Sequence, residues 1–313
     1  MQIVSKRKPI ASVVADPRTK PELRSRLEYV AAAREFASRE LGLPDNKSYR
    51  SYADLGRPYV VWNVFAAKEF SVTPRRWCFP IAGCVVYRGY FSEQAAYDYA
   101  AALRRDGYDS AVGGVAAYST LGHFEDPVLN TMLGWSDAQL AATLFHELAH
   151  QVVYVPGDSD FNEGFATVVE EVGLARWLAA RGVDRQLEAW QRQRERYSQF
   201  IRLLLSTRER LKTLYASDLP IGEKRDRKQY EFGLLKLQYE QLKQQWNGYQ
   251  GYDAWFARTL NNAHLVSAAT YHGCTPGLRR ELHEVGNDLE KFYERMKALS
   301  AAERTALCGP EGK

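Results

Sequence analysis

His146-Glu147-Leu148-Ala149-His150 is followed in this chain by Asn162-Glu163-Gly164-Phe165-Ala166, and the two stretches together predict a metal site. On a helix, residues four positions apart lie above one another, so His146 and His150 can direct imidazole nitrogens at a single ion. We predict one zinc ion, with Glu163 as third protein ligand and one coordination position left open. Glu147 is predicted to hold and deprotonate the metal-bound water.

The histidine motif is too rare to arise easily by chance. With 6 His and 38 acidic residues among 313, random order gives roughly 0.01 matches per chain. Ser136 and Gln139 resemble a capping box before an apolar-periodic run, and Pro156-Gly157 closes the segment. The motif is therefore predicted to lie in the middle of a helix. The alternative is an amphipathic helix whose two histidines are ordinary core or surface residues.

The two stretches resemble the zinc helix and the glutamate helix of the gluzincin metallopeptidases, above all the M1 aminopeptidases, which share the NEGFA residues. A longer resemblance is to the bacterial putative-aminopeptidase family. Its matching segments before the zinc stretches are residues 43–46, 52–59, 78–84, 87–90, 113–114 and 118–122. The resemblance implies a gluzincin-type zinc peptidase acting on peptides. It also implies an exported protein, because members commonly carry an export or lipoprotein signal.

One departure from the M1 pattern concerns the glutamate that grips the free amino terminus of the substrate. The stretch Gly113–Tyr118 occupies a comparable place before the zinc helix but contains no acid. A buried ammonium requires an anionic partner. Glu170 is the first candidate for that partner, and Glu125 and Asp126 are the others. Glu170 lies on the same helical face as Glu163, where a carboxylate can equally orient a zinc histidine or lie at the surface.

Other candidate site residues lie in a loop and on a predicted edge strand. Tyr271 and His272, in a stretch marked by glycine and proline, are predicted catalytic donors to the developing oxyanion. A tyrosine with its hydroxyl in solvent fits that stretch equally well. Gly114 and Tyr118 are predicted to bind the substrate backbone by strand addition. Asn162 is predicted either to cap the second helix or to hold a substrate amide.

Composition fits a chain with a sizeable core and no membrane span. The sequence is 45% hydrophobic with a mean hydropathy of −0.44, and it contains no apolar run of about 18 residues. Its net charge of +4 is mild, and its basic stretches lack interleaved aromatic residues. We therefore expect no nucleic-acid partner.

The four cysteines suggest an oxidising compartment. Cys78 and Cys84 flank a short segment that could close a small loop, which would leave Cys274 to pair with Cys308, although three connectivities are open. Disulfides would place the protein outside the reducing cytoplasm. Met1–Ile10 is basic and lacks an apolar region, so we expect any export signal to have been removed. We predict a periplasmic or cell-envelope location, with a lipid tether through that signal or a cytoplasmic location as the alternatives.

Periodicity predicts an α+β fold in three parts: a mixed part over 1–135 with an edge strand, zinc-binding helices over 136–182, and a helical part over 183–313. Helices are predicted at 19–42, 93–106, 184–216 and 222–247, and strands at about 60–65, 84–87 and 110–118. The two long helices are predicted to form an antiparallel hairpin.

We therefore expect a zinc-dependent metallopeptidase, specifically an aminopeptidase. One alternative is an endopeptidase or short-peptide peptidase of the cell envelope. The other is a non-catalytic envelope protein that keeps a zinc ion for structure or binding. The presence of Glu147 argues against a non-catalytic protein, because a structural zinc needs no base and usually has a fourth protein ligand.

Overall fold

The computed structural model describes residues 5–79, 83–117, 119–122, 124–183, 185–267 and 274–308. The predicted site residues Tyr118, Tyr271 and His272 lie outside the described residues. The chain is mixed α+β, as predicted. It divides into two compact units, of which the first combines Met1–Val60, Ala116–Trp190 and Tyr271–Lys313, and the second combines Val61–Val115 and Gln191–Thr270. The three-part organisation along the sequence stays a prediction.

The secondary structure consists mainly of helices, with short strands between them. The helices are α1 (Ile10–Ala15), α2 (Pro21–Leu41), α3 (Glu93–Arg105), α4 (Asp137–Ala149), α5 (Ser159–Ala180), α6 (Arg185–Ala216), α7 (Ile221–Gln245), α8 (Asp253–Phe256), α9 (Asn262–Ser267), α10 (Thr275–Glu284), α11 (Leu289–Ala298) and α12 (Ala301–Cys308). The strands are β1 (Lys8–Pro9), β2 (Ser51–Ala53), β3 (Val61–Lys68), β4 (Trp77–Phe79), β5 (Gly83–Val85), β6 (Arg88–Tyr90), β7 (Tyr108–Val115) and β8 (Val128–Leu129).

Helix α2 shows how local sequence sets the bounds of an element. Pro21 opens the helix at its first turn, where a missing N–H costs nothing. Gly42 ends it with φ 63°, a left-handed conformation that glycine adopts without strain, and its N–H bonds to the Ala37 carbonyl. Leu27 and Val30 face the core of the first unit. The predicted helix over 19–42 is confirmed, with its ends shifted by one or two residues.

Helix α4 carries the histidine motif at its end. Ser136 caps the start by accepting from the Gln139 N–H at 3.2 Å. The helix stops at Ala149, and His150 is its C-cap, because the N–H groups of Val152 and Val153 both return to the Ala149 carbonyl. The prediction that the motif lies in mid-helix is wrong. His150 nevertheless keeps helical backbone angles, so the four-residue stacking of the two histidines is preserved.

The first unit is built on α4 and α5, whose facing side chains fill its core. Phe145 and Leu148 of α4 and Phe161 and Phe165 of α5 are fully buried there. Phe165 also stacks on Phe292 of α11, with ring centroids 5.5 Å apart. A small sheet in the order β1-β2-β8 completes this unit.

The second unit combines an antiparallel sheet with the long helices. Strand β3 lies between β6 and β7, and it pairs with β7 along its whole length. Helices α6 and α7 pack antiparallel, since Gln199 accepts from Trp246 and Glu231 accepts from Arg210. The predicted helical hairpin is therefore confirmed. Within the described ranges, none of the helices combines the length and the apolar character that crossing a membrane requires.

The cysteines form the two preferred disulfides. Cys78 pairs with Cys84 between β4 and β5. Cys274 pairs with Cys308 and so joins the residue before α10 to the end of α12.

The two disulfides should stabilise the chain unequally. Cys274 and Cys308 are 34 residues apart, so replacing both by serine should lower the free energy of unfolding by about 4 kcal/mol, through the larger loop entropy of the unfolded chain. Cys78 and Cys84 are 6 residues apart, and their double serine variant should lose about 2 kcal/mol. Urea unfolding of both variants measures the difference. Equal losses would contradict the entropic explanation.

Candidate metal centre

The predicted ligands converge where the end of α4 meets the start of α5. His146 Nε2 lies 3.2 Å from His150 Nε2 and 3.2 Å from Glu163 Oε2. His150 Nε2 lies 3.8 Å from Glu163 Oε1. One ligand atom from each of the three residues falls within 4.8 Å of the others. The chain therefore brings these side chains together as the spacing predicted.

These separations match the chemistry of a divalent ion. Nitrogen and oxygen ligands about 2.0 to 2.1 Å from a tetrahedral zinc are about 3.3 Å apart. His146 Nε2 lies 3.2 Å from His150 Nε2 and 3.2 Å from Glu163 Oε2, close to that value, whereas the 3.8 Å separation from His150 Nε2 ends on the other Glu163 oxygen. Two imidazoles and one carboxylate are also a donor set used by catalytic zinc sites. His146, His150 and Glu163 could thus hold a metal ion, and the donor set fits zinc.

Glu170 holds the opposite edge of the His146 ring. Its Oε2 lies 2.9 Å from His146 Nδ1, and its side chain is almost completely buried. A carboxylate in this position accepts a hydrogen bond from the Nδ1–H and leaves Nε2 directed at the cluster. This contact is the orienting role that the sequence left open as an alternative. The role of Glu170 in binding the substrate amine stays a prediction.

The charges of the cluster are strongly coupled. Burial acts to lower the pKa of His146, but hydrogen bonds to Glu163 and Glu170 outweigh it and raise that pKa to about 10. Burial, with the neighbouring His146 charge, lowers the pKa of His150 to about 4. Burial also raises the pKa of Glu147. Because a metal-ligating imidazole must be neutral, binding of a cation by these residues would be coupled to the loss of a proton from His146.

Asn162 has a structural partner that the sequence did not indicate. Its side-chain oxygen accepts from the Val155 N–H and its amide donates to the Val155 carbonyl, both at 2.8 Å. The helix-capping prediction is wrong, because α5 begins at Ser159 and its N-cap is Asp158. Asn162 instead fixes the connection between α4 and α5. Its predicted contact with a substrate amide stays a prediction.

The remaining candidates lie in other surroundings. Gly114 is on β7 in the second unit, opposite Trp62, and its predicted contact with substrate stays a prediction. Asp126 accepts from the Thr120 N–H and hydroxyl at 2.8 and 2.9 Å. Glu125 pairs with Arg7 and Lys47.

Sequence reasoning missed Tyr49 and Ser119. Burial raises the pKa of Tyr49 well above its ordinary value, and the charge of Glu147 raises it further. Ser119 interacts with the carboxyl group of Glu147 and opposes the rise that burial causes in its pKa. The surrounding sequence did carry a signal, because residues 43–46, 52–59 and 118–122 contribute to the family resemblance. The sequence alone, however, indicated no catalytic role for Tyr49 or Ser119.

The fold and the cluster define a mixed α+β protein with a His-His-Glu group that could bind a metal ion. The chain belongs to the family described as "Putative aminopeptidase" (Aminopep), whose model matches residues 1–307. No curated protein and no solved structure matches it. The resemblance to this family is thereby confirmed, whereas the relation to the gluzincins stays a prediction.

Gly164 should be essential for the position of its neighbour Glu163. A Cβ at residue 164 would lie 2.9 Å from Cys274 Cβ and 2.9 Å from Leu278 Cδ1, so Gly164→Ala must push α5 away from α10. We expect a loss of about 1 to 3 kcal/mol in unfolding free energy. Gly134→Ala is the control, since a Cβ there meets nothing within 4 Å. Equal thermal stability of the two variants would refute the steric argument.

Proposed function

We propose that this protein is a zinc-dependent aminopeptidase. The observation that carries the proposal is the convergence of one donor atom each from His146, His150 and Glu163 within 4.8 Å of one another, with the carboxylate of Glu147 next to His146 on the same helix. Membership in the putative aminopeptidase family supports peptides as the substrate class. The two disulfides support an oxidising location, and we propose the periplasm or cell envelope.

In this proposal Glu147 and Glu170 have different roles in hydrolysis. Zinc, when bound, supplies a Lewis acid that lowers the pKa of water and polarises a carbonyl. Glu147 takes a proton from the attacking water and returns it to the leaving amine. Because burial raises its pKa, Glu147 is a stronger base than an exposed carboxylate. Glu170 accepts a hydrogen bond from the Nδ1–H of His146 and so favours the tautomer whose unprotonated Nε2 can bind the metal.

Loss of the metal and loss of the base should be separable. Purified protein should hold about one zinc per chain, and His146→Ala or His150→Ala should remove it. Glu147→Gln should keep the zinc and the fold but lower hydrolysis by about three or more orders of magnitude, because an amide cannot accept the proton. Metal analysis and peptide turnover measure these effects.

Glu171→Gln is the matched control for this series. Glu171 follows Glu170 on α5 but pairs with Arg279 at 2.6 Å, outside the cluster, so its variant should retain zinc and turnover. Wild-type protein that carries no zinc after growth in zinc-rich medium would reject the metallopeptidase proposal. Full turnover by Glu147→Gln would assign the base to another group.

A second candidate, an endopeptidase or short-peptide peptidase, is favoured by one observation. The three acids considered for the substrate ammonium each have another partner: Glu170 bonds to His146, Asp126 to Thr120, and Glu125 to Arg7 and Lys47. An endopeptidase needs no such acid. The two candidates share the same zinc chemistry and differ only in how the substrate is gripped.

Acetylated peptides distinguish the two candidates. A site that pairs the free ammonium with a carboxylate leaves that buried charge alone when the amine is acetylated, at a cost of about 3 to 5 kcal/mol. An aminopeptidase should therefore cleave acetylated peptides at least about a hundredfold more slowly. Matched free and acetylated peptides, compared by kcat/KM, supply the measurement. Equal rates would select the endopeptidase and leave the metal chemistry unaffected.

A further inference from the structure

A cleft of about 730 Å³ lies within the second unit. One face of α7 lines it, because residues at intervals of three and four positions project from the same side of a helix. The turn between α3 and β7 and the segment that precedes α9 also contribute to the lining. A volume of this size accommodates a small organic ligand. The α7 residues that line the cleft are Arg225, Lys228, Gln229, Phe232, Gly233 and Lys236.

The two acids that line the cleft are each paired with a neighbouring cation. Glu69 accepts from Arg225 Nε at 2.7 Å and from Arg225 Nη2 at 3.1 Å, which is a bidentate pair. Asp109 Oδ2 accepts from the ammonium of the buried Lys228 at 2.6 Å. It also accepts from the Asn262 N–H at 3.0 Å. Each carboxylate of the lining is therefore matched by one positive charge.

Two further cations line the cleft without an acidic partner. In the described part of the chain, Lys236 forms no hydrogen bond or ion pair. Arg104 donates from Nη1 to the Ser110 hydroxyl at 2.9 Å, which is a neutral acceptor. Four cations and two acids line the cleft, so the formal charge of the lining is +2. A cleft with an excess of one charge concentrates ligands of the opposite sign.

Gly233 supports a ligand in the cleft independently of the charges. It lies in the interior of α7, where glycine is less favourable than alanine because its backbone loses more conformational freedom on folding. A Cβ at this position would meet nothing within 4 Å, so no neighbour among the described residues requires a glycine there. A ligand that closely approaches the helix backbone would require one.

The cleft also offers apolar surface beside its charges. Phe232 and Leu260 line it, and each is 8% exposed. Tyr108 lines it as well. An inorganic ion would leave this apolar surface in contact with water, whereas an organic anion would cover it, and the removal of apolar surface from water is favourable. The lining therefore suits a ligand that combines an anionic group with an apolar body.

We propose that this cleft binds a small organic anion, a carboxylate or phosphate attached to an apolar body. The anionic group interacts with Arg104, which can donate two parallel hydrogen bonds to it, and with the ammonium of Lys236. The apolar body packs on Phe232 and Leu260, and the absence of a side chain at Gly233 leaves space for it. The site belongs to the second unit and does not depend on the proposed peptidase activity.

Matched naphthalene derivatives test the proposal on the full chain. Naphthyl phosphate and naphthoate carry the two anionic groups on one apolar body, naphthalenemethanol is neutral, and inorganic phosphate lacks the body. Calorimetric titration at low salt should give a Kd of about 1 mM or less for at least one of the two organic anions. The neutral analogue and inorganic phosphate should bind at least about tenfold more weakly. Equal affinity for the neutral analogue, or no binding of either organic anion, overturns the proposal.

A pair of glycine variants on α7 locates the binding. Gly233→Leu places a side chain in the open space of the cleft without displacing a neighbour, so the organic anion should bind at least about tenfold more weakly. Gly222→Leu is the matched control, because a Cβ there also meets nothing within 4 Å and residue 222 does not line the cleft. Equal affinity of the two variants for the anion overturns the proposal.

A pair of charge variants on the same helix tests the electrostatic part and leaves the helix backbone unchanged. Lys236→Gln should weaken binding of the organic anion about threefold to tenfold and leave binding of naphthalenemethanol unchanged. Arg227→Gln removes the same charge from α7 outside the cleft, where Arg227 pairs with Glu223 at 2.6 Å, and it should retain wild-type affinity. Equal losses in the two variants would show a general attraction of anions to the basic helix and overturn the proposed site.

Discussion

The site depends on one imidazole held between two carboxylates of a single helix. His146 meets Glu163 at its Nε2 edge and Glu170 at its Nδ1 edge, and both glutamates come from α5. Seven residues are about two helical turns, so the two carboxylates lie on one face and bracket the ring. His150, the C-cap of α4, adds its nitrogen four residues further along the chain. The packing of α4 on α5 therefore decides whether a metal ion can be held.

The packing of α4 on α5 is stabilised by a glycine, a disulfide and an asparagine side chain. Gly164 lets α10 approach the residue next to Glu163, and the disulfide at Cys274 fixes the end of α10 nearest to it. Asn162 ties the α4–α5 connection by two backbone hydrogen bonds. Each contact limits how far Glu163 can move relative to the histidines. A preorganised cluster of this kind loses little entropy when an ion binds.

Sequence was most informative where the geometry is local. The stacking of His146 and His150 follows from helical periodicity, and so does the common face of Glu163 and Glu170. The sequence did not predict that α4 ends at Ala149. The turn that follows, in which two N–H groups bond to the same carbonyl, has no sequence pattern of its own. Tyr49 was missed for a different reason. The charge of Glu147 raises the pKa of Tyr49 although the two residues are far apart in the sequence, and no local pattern predicts such a pairing.

The loop between α2 and β2 departs from local rules at Tyr49. Tyr49 combines a left-handed conformation with a buried hydroxyl, and Arg34, which donates to the loop carbonyls of Pro44 and Ser48, is itself buried. A loop that served only to join α2 to β2 could use glycine at residue 49 and avoid both costs. The chain keeps a tyrosine there, so the benefit must come from the ring, the hydroxyl or both. The ring accounts for part of that benefit, because Tyr49 belongs to the buried hydrophobic core of the first unit.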